Sequence, residues 1–330
     1  MKPVQALLAL LTVPVLIAGL LRAAGPEDVQ LRQEAVHLLE RANLVSMSPK
    51  LPNLERTDTF LAFDPAYGTR EGSLTRAVIQ GTGRREETIF GDYHAVEVWS
   101  GDHLYRTLTR AVAPPEVLNL LRITPLNLVR FDHEDVIRAI LDKQADGHAL
   151  HCIEFDTVAG ERADHNELCV DAANGTLVSE KLGNDLIENS AFFSFAGELL
   201  PGKIHYSVNG QPKLEITQTL TELTDVTPDV LEPPPNAQVL TTCTTFRRAL
   251  GQSMPQPPPG SRGGVISDVL LSGMIGADGK VHDALVQSSE RPELNADAFK
   301  TIQQWQFTPA LCNGQPTSTP ASFLLHFQGY

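Results

Sequence analysis

Residues 277–310 read ADGKVHDALVQSSERPELNADAFKTIQQWQFTPA. Asp278-Gly279 is a two-residue turn signature, and the stretches on either side, VISDVLLSGMIGA (265–277) and VHDALVQS (281–288), alternate like the two arms of a hairpin. The period then changes. Leu294, Ala298, Phe299, Ile302 and Trp305 recur at helical spacing, with Asn295 placed to cap the helix and Asp297 in its first turn. Beyond Phe307 and Pro309 the chain is broken by Gly314 and Pro320 before a last alternating run, SFLLHF, at 322–327. Strand, strand, helix, strand in about 65 residues makes a small sheet with a helix on one face. None of the patterned residues is a reactive group. They build a scaffold, so any activity of this module has to come from the edge of its sheet, where backbone groups can pair with an incoming extended segment.

The motifs Asp278-Gly279-Lys280-Val281, Ser288-Ser289, Leu294-Asn295 to Ala298-Phe299, Ile302, Trp305-Gln306-Phe307-Thr308-Pro309-Ala310 and Asn313-Gly314-Gln315-Pro316 resemble the TonB C-terminal domain in order and spacing. The differences are small: Asn295 replaces the usual Asp, Phe299 the usual Leu, and Gln306 a common Arg. The resemblance implies a core built on Leu294, Phe299, Ile302, Trp305 and Phe307. It also implies a closing edge strand, with Ser322, Leu324, His326 and Gln328 outward, that takes up an extended segment of an outer-membrane receptor. Members of the family are coupled to the ExbB and ExbD proton motor through a Ser and a His in their membrane anchor. Here the apolar run from Val4 to Leu21 offers only Thr12, which puts that coupling in doubt.

The apolar run itself is a secretory signal or a membrane anchor. Ala23 and Gly25 are small enough to flank a cleavage after Gly25, and the run is at the short end for spanning a bilayer. Both outcomes place the rest of the chain in the periplasm, and retention would anchor it in the inner membrane by residues 4–21. The formal net charge is -14, and residues 26–235 hold 18 Lys and Arg against 34 Asp and Glu. Such a body repels phosphate backbones, so nucleic acid is not an expected partner.

Four cysteines suit an oxidising compartment. A two-residue loop at Gly160-Glu161 would put Cys152 opposite Cys169, which leaves Cys243 with Cys312; sequence spacing does not exclude the other connectivities. Residues 26–43 form an amphipathic helix, and short alternating runs divided by Gly and Asp continue from Thr57 to Leu223, interrupted by a helix opening at Pro114-Pro115. One curved antiparallel sheet with helices on its concave face fits this order. The stretch LPGKIHYSVNGQPKLEITQTLTEL (200–223) resembles the LolA and LppX type of periplasmic half-barrel. That resemblance implies a concavity able to hold an acyl chain or a lipoprotein, with Phe192, Phe193 and Phe195 as candidate lining, although ordinary core filling is the favoured reading of the three phenylalanines.

The chain thus divides into a signal or anchor (1–25), an α+β half-barrel (26–226), a linker with two Pro-Pro-Pro runs (227–262) and the terminal module (263–330). Fully extended, such a linker reaches on the order of 100 Å. No hydrolase, metalloprotease or phosphate-loop motif is present, so no enzymatic activity is expected. His148, His151 and His165 lie close in sequence to Cys152 and Cys169 but match no zinc spacing, and neither a metal nor a cofactor is expected. Asp132-His133-Glu134-Asp135 reads as a solvated turn. Two functions follow from the resemblances: a TonB-like energy transducer that binds outer-membrane partners, or a periplasmic lipid- or lipoprotein-binding protein with a docking module.

Overall fold

The computed structural model describes residues 26–43, 51–64, 68–101, 103–124, 131, 135–145, 147–159, 162–241, 243–257, 267–289 and 291–327. The apolar segment 4–21 and most of the stretch Asp132–Asp135 lie outside these residues, as do Gly160-Glu161 and Gln328. Among the described residues no helix is long and apolar enough to cross a membrane.

The N-terminal part opens with helix α1 (Pro26–Asn43), followed by strands β1 (Leu54–Asp64), β2 (Gly68–Ile79), β3 (Gly83–Phe90), β4 (Tyr93–Ser100) and β5 (His103–Leu108) and helix α2 (Pro115–Ile123). Strands β6 (Val136–Ala145), β7 (His148–Ala159), β8 (Arg162–Asp171), β9 (Leu177–Leu182) and β10 (Asp185–Ser190) come next. A small hairpin of β11 (Phe193–Phe195) and β12 (Glu198–Leu200) precedes β13 (Lys203–Val208) and β14 (Gln211–Glu222). Together with β15 (Gln238–Thr241), all but the hairpin form one open thirteen-stranded antiparallel sheet with β15 and β6 at its edges.

Register decides which residues meet. Pairing carries Phe60, Gly72 and Phe90 in one line and Ile216, Ile204 and Tyr206 onto the same face. Helix α2 sets Val117, Leu120 and Ile123 against that face. Helix α1 packs Leu39 on Phe155 and Leu168 further along. Each helix thus packs apolar side chains against the sheet, whose other face also buries Ala77, Val98 and Cys152.

A transverse line of charge crosses the same covered face. Successive registers bring Arg56, Arg76, Glu86, Glu97 and Arg106 side by side across β1 to β5. Asp58 is 0% exposed and takes Arg56 at 2.9 Å and Arg76 at 3.3 Å. Arg76 also donates to the Thr124 carbonyl at 3.0 Å, holding the C-terminal end of α2. Burial lowers the Arg76 guanidinium to about 10 and pushes the Glu97 carboxyl up, with Arg106 opposing the latter. Arg70 pairs with Glu116 at the other end of α2, and Arg122 joins α2 to Asp185 at 2.8 Å. Apolar filling and ionic ties thus fix α2 together.

The disulfide Cys152–Cys169 joins directly opposed residues of β7 and β8, whose register also pairs Ala159 with Arg162. Nearby, the buried Asp156 carboxylate is desolvated, but its bonds to Arg138 at 2.6 Å and His165 at 2.5 Å outweigh that cost and hold it below its ordinary value. A lowered carboxylate adds stability above the ordinary value of about 4, and this is lost as pH falls through the folded value. Asp156→Asn is expected to flatten the fall in melting temperature below about pH 4; an unchanged acid limb in the variant would refute this.

Among the described residues the expected extended linker has structure of its own, while residues 258–262, with most of its second proline run, lie outside them. Residues Pro228–Leu231 make a 3-10 turn, β15 extends the large sheet by pairing with β5, and β16 (Phe246–Arg247) and β17 (Leu250–Ser253) pair with strands of the terminal module. The stretch from 238 to 253 therefore joins the two parts and does not act as a free spacer.

Candidate functional site

The terminal module consists of β18 (Ser267–Ile275), β19 (Val281–Ser289), a 3-10 turn (Pro292–Leu294), α3 (Asn295–Ile302), β20 (Gln306–Thr308), β21 (Ala310–Cys312), β22 (Gln315–Thr317) and β23 (Thr319–Phe327). Its sheet runs β19-β18-β23. Val269, Leu271, Ile275, Phe323, Leu325 and Phe327 bury one face of that sheet against Ala298 and Ile302, while Leu294, Phe299, Trp305 and Phe307 pack around them. Trp305 meets Phe323 edge-on at 5.8 Å and donates from Nε1 to the Pro255 carbonyl at 3.0 Å, tying the preceding segment to the core. Pro309 separates β20 from β21 and is half-buried.

The Asp278-Gly279 turn depends on both residues. The Asp278 carboxylate accepts from the Lys280 amide at 3.0 Å and from His282, and these bonds hold it below its ordinary value. Gly279 has φ +76°, and a Cβ there would lie 2.2 Å from the Phe307 carbonyl oxygen. Its own carbonyl accepts the Phe307 amide at 2.9 Å. Gly279→Ala is expected to destabilise the module by about 2–3 kcal/mol, since left-handed strain alone costs roughly 1–2 and β20 must also move. Chemical denaturation of the variant, followed by Trp305 emission, checks this; a loss below about 0.5 kcal/mol would contradict it.

Asn295 does not cap α3. The 3-10 turn runs straight into the helix, Leu294 takes the cap position, and Asn295 has helical φ and ψ of −58° and −41°. Its Oδ1 is buried without a hydrogen-bond partner among the described residues. The Pro at 292 starts the helical path four residues earlier than a cap at Asn295 would.

The two edges of this sheet differ. The β18–β19 register shifts twice, and Asp283 in β19 has φ +50°. Bulges of this kind blunt an edge. β23 instead pairs with β18 over nine consecutive positions without a shift. Its buried residues, Phe323, Leu325 and Phe327, alternate with exposed Ser322, Leu324 and His326, and Leu324 is 50% exposed. His326 bonds across the strand to Asp268 at 2.6 Å, a partner that only the register reveals. Among the described residues the far edge of β23 has no neighbour in this sheet, the arrangement that an extended peptide would need for strand addition.

The other sequence candidates lie elsewhere. Phe192, Phe193 and Phe195 are half-buried on and beside the β11–β12 hairpin, apart from the core that α2 fills. Cys243 and Cys312 are bonded, which fastens the joining segment to β21. Each of the three histidines has its own carboxylate: His148 pairs with Asp171, His151 with Asp142 and His165 with Asp156. Glu167 lies beside Cys152 and Cys169, but those two sulfurs are spent on each other. A polar cleft of about 410 Å³ on β6–β9 is lined by Arg138, Lys143, Glu154, Asp156, His165 and Glu167 among others. Its charges neutralise one another; Lys143, for example, is shared by Glu154 and Glu167.

Among solved structures, a LolA superfamily protein from Nitrosomonas europaea is similar at 11% identity over 59% of this chain and 96% of that one, with a TM-score of 0.40. A putative outer membrane lipoprotein-sorting protein domain from Vibrio parahaemolyticus gives 10%, 62%, 95% and 0.39 for the same measures. MucB gives 12%, 82%, 96% and 0.34. No curated protein matches the chain. Residues 262–328, the stretch that carries the Asp-Gly turn, the Trp305 motif and the regular edge strand, match the family described as Gram-negative bacterial TonB protein C-terminal.

Proposed function

We propose that this chain is a periplasmic envelope protein that captures an extended segment of an outer-membrane partner by strand addition along β23. The single observation that carries this reading is the contrast between the shift-free outer edge of β23 and the bulged edge of β19. The match of residues 262–328 supports an envelope setting. Affinity would come from backbone pairing, and selectivity from the row Ser322, Leu324, His326 beside Asp268.

Docking without energy transduction is the form of this function that the joining segment favours. A transducer needs reach, whereas here β15 is built into the large sheet and β16, β17 and Cys243 into the module. An acyl-chain ligand in the N-terminal sheet would have to displace α2, whose Val117, Leu120 and Ile123 pack against the sheet.

Capture from envelope extract with the full chain tests the proposal. The parent is expected to retain a discrete partner that Leu324→Pro loses, with both proteins showing the same melting temperature and intact disulfides. Should Leu324→Pro unfold the module, photo-crosslinking from Ser322 takes its place. A partner held equally by parent and variant, or cross-linked only from positions away from β23, would refute strand addition. Mass spectrometry of the exported protein separates the two forms of the reading, because a mature terminus at Pro26 removes the anchor that transduction requires.

A further inference from the structure

Between Glu232 and Asp268 the sequence contains no carboxylate side chain, and none follows Asp297. These two acid-free stretches come together in space. β16 pairs with β21, which pairs with β22, and β17 pairs with β20. The surface so formed has Arg247 and Arg248 exposed, and among the described residues neither has an ion-pair partner. Beside them stand Phe246, Leu250 and Met254, which are 55%, 52% and 49% exposed.

Three large, half-exposed apolar side chains within nine residues of one segment are unusual on a protein surface, where isolated apolar residues are the rule. Their pairing with two free cations, in a protein of net charge -14, is more unusual still. The Cys243–Cys312 disulfide and the Trp305 bond to the Pro255 carbonyl hold the segment at both ends, so it is a fixed feature of the module.

From this surface we infer a second contact: the strip Phe246–Met254 seats the module on an anionic lipid surface. The apolar side chains would enter the boundary between headgroups and acyl chains, and Arg247 and Arg248 would lie among the lipid phosphates, the combination of two weak signals that gives stable peripheral binding. The acidic N-terminal domain is repelled by the same surface, which leaves this strip as the face of approach. Nothing in this contact uses β23, so the docking edge stays open while the strip is seated.

The test uses the full chain carrying Phe246→Trp and vesicles in which either phosphatidylglycerol or phosphatidylcholine is brominated. Quenching of the introduced indole, above the background of the parent protein, is expected with the anionic vesicles and not with the neutral ones. Because the probe sits at position 246, attachment through residues 4–21 alone does not register as a difference between the two lipids. Arg247→Gln with Arg248→Gln on that background is expected to weaken the interaction about thirtyfold, which is about 1 kcal/mol of basic-residue attraction for each arginine. Equal quenching in both vesicle types, no added quenching, or no effect of the arginine pair would each overturn the inference. So would self-association of the parent that Phe246→Ser abolishes, because the strip would then pair with a second copy.

Discussion

Asp58→Ala is expected to destabilise the N-terminal domain by about 3–5 kcal/mol, the usual cost of removing one partner from a buried ionic group. Asp58 is fully buried and takes both Arg56 and Arg76, so its loss leaves two guanidinium groups facing each other across β1 and β2 with one shared neutraliser fewer. The effect should extend beyond the sheet. Arg76 holds the Thr124 carbonyl at the end of α2, and repulsion from Arg56 would draw it off that carbonyl. Denaturant unfolding should therefore show the lost stability, and hydrogen exchange should show α2 opening ahead of the strands. A variant within about 1 kcal/mol of the parent would mean that water or rearranged side chains replace Asp58.

Removing the second disulfide should be comparably costly. Cys243→Ser with Cys312→Ser opens a loop with a sequence separation of 69, for which the chain-entropy model gives about 4 kcal/mol. The structure adds a local consequence. β16 and β17 are very short, and each pairs with a single neighbouring strand, so without the covalent tie they should leave β21 and β20 readily. Trypsin would then cut after Arg247 and Arg248 well below the concentration that cuts the parent. Resistance equal to the parent's would show that strand pairing and the Trp305 bond suffice to hold the segment.

The terminal module was legible because its signals are local. An Asp-Gly turn, an alternating run and a helical period all lie within 34 consecutive residues, 277–310, and the structure follows them except that α3 ends at Ile302 and leaves Trp305 beyond it. Cys152 and Cys169 were legible for a similar reason, since a two-residue hairpin loop fixes its own register. Asn295 misled because a preceding proline can start a helical path without a side-chain cap. The strands at 238–253 carry no alternating pattern and exist only by pairing with residues far away in sequence, such as Leu240 with Leu104 and Phe246 with Cys312. A composition rich in proline therefore read as an extended spacer. The charged line from Arg56 to Arg106 was hidden in the same way. Each residue looks like an ordinary polar position of its own strand, and only the register of five strands places them together.

The difference between the two edges of the module sheet is likewise a matter of register, yet the claim that β23 is the docking edge rests on it. Amide hydrogen exchange of the full chain, measured alone and with the captured envelope partner, addresses that claim most directly. Strand addition predicts that alternate amides within Thr319–Phe327 gain protection on binding while those of β19 stay unchanged. Protection that appears on β19 or α3 and leaves β23 exchanging as before would contradict it.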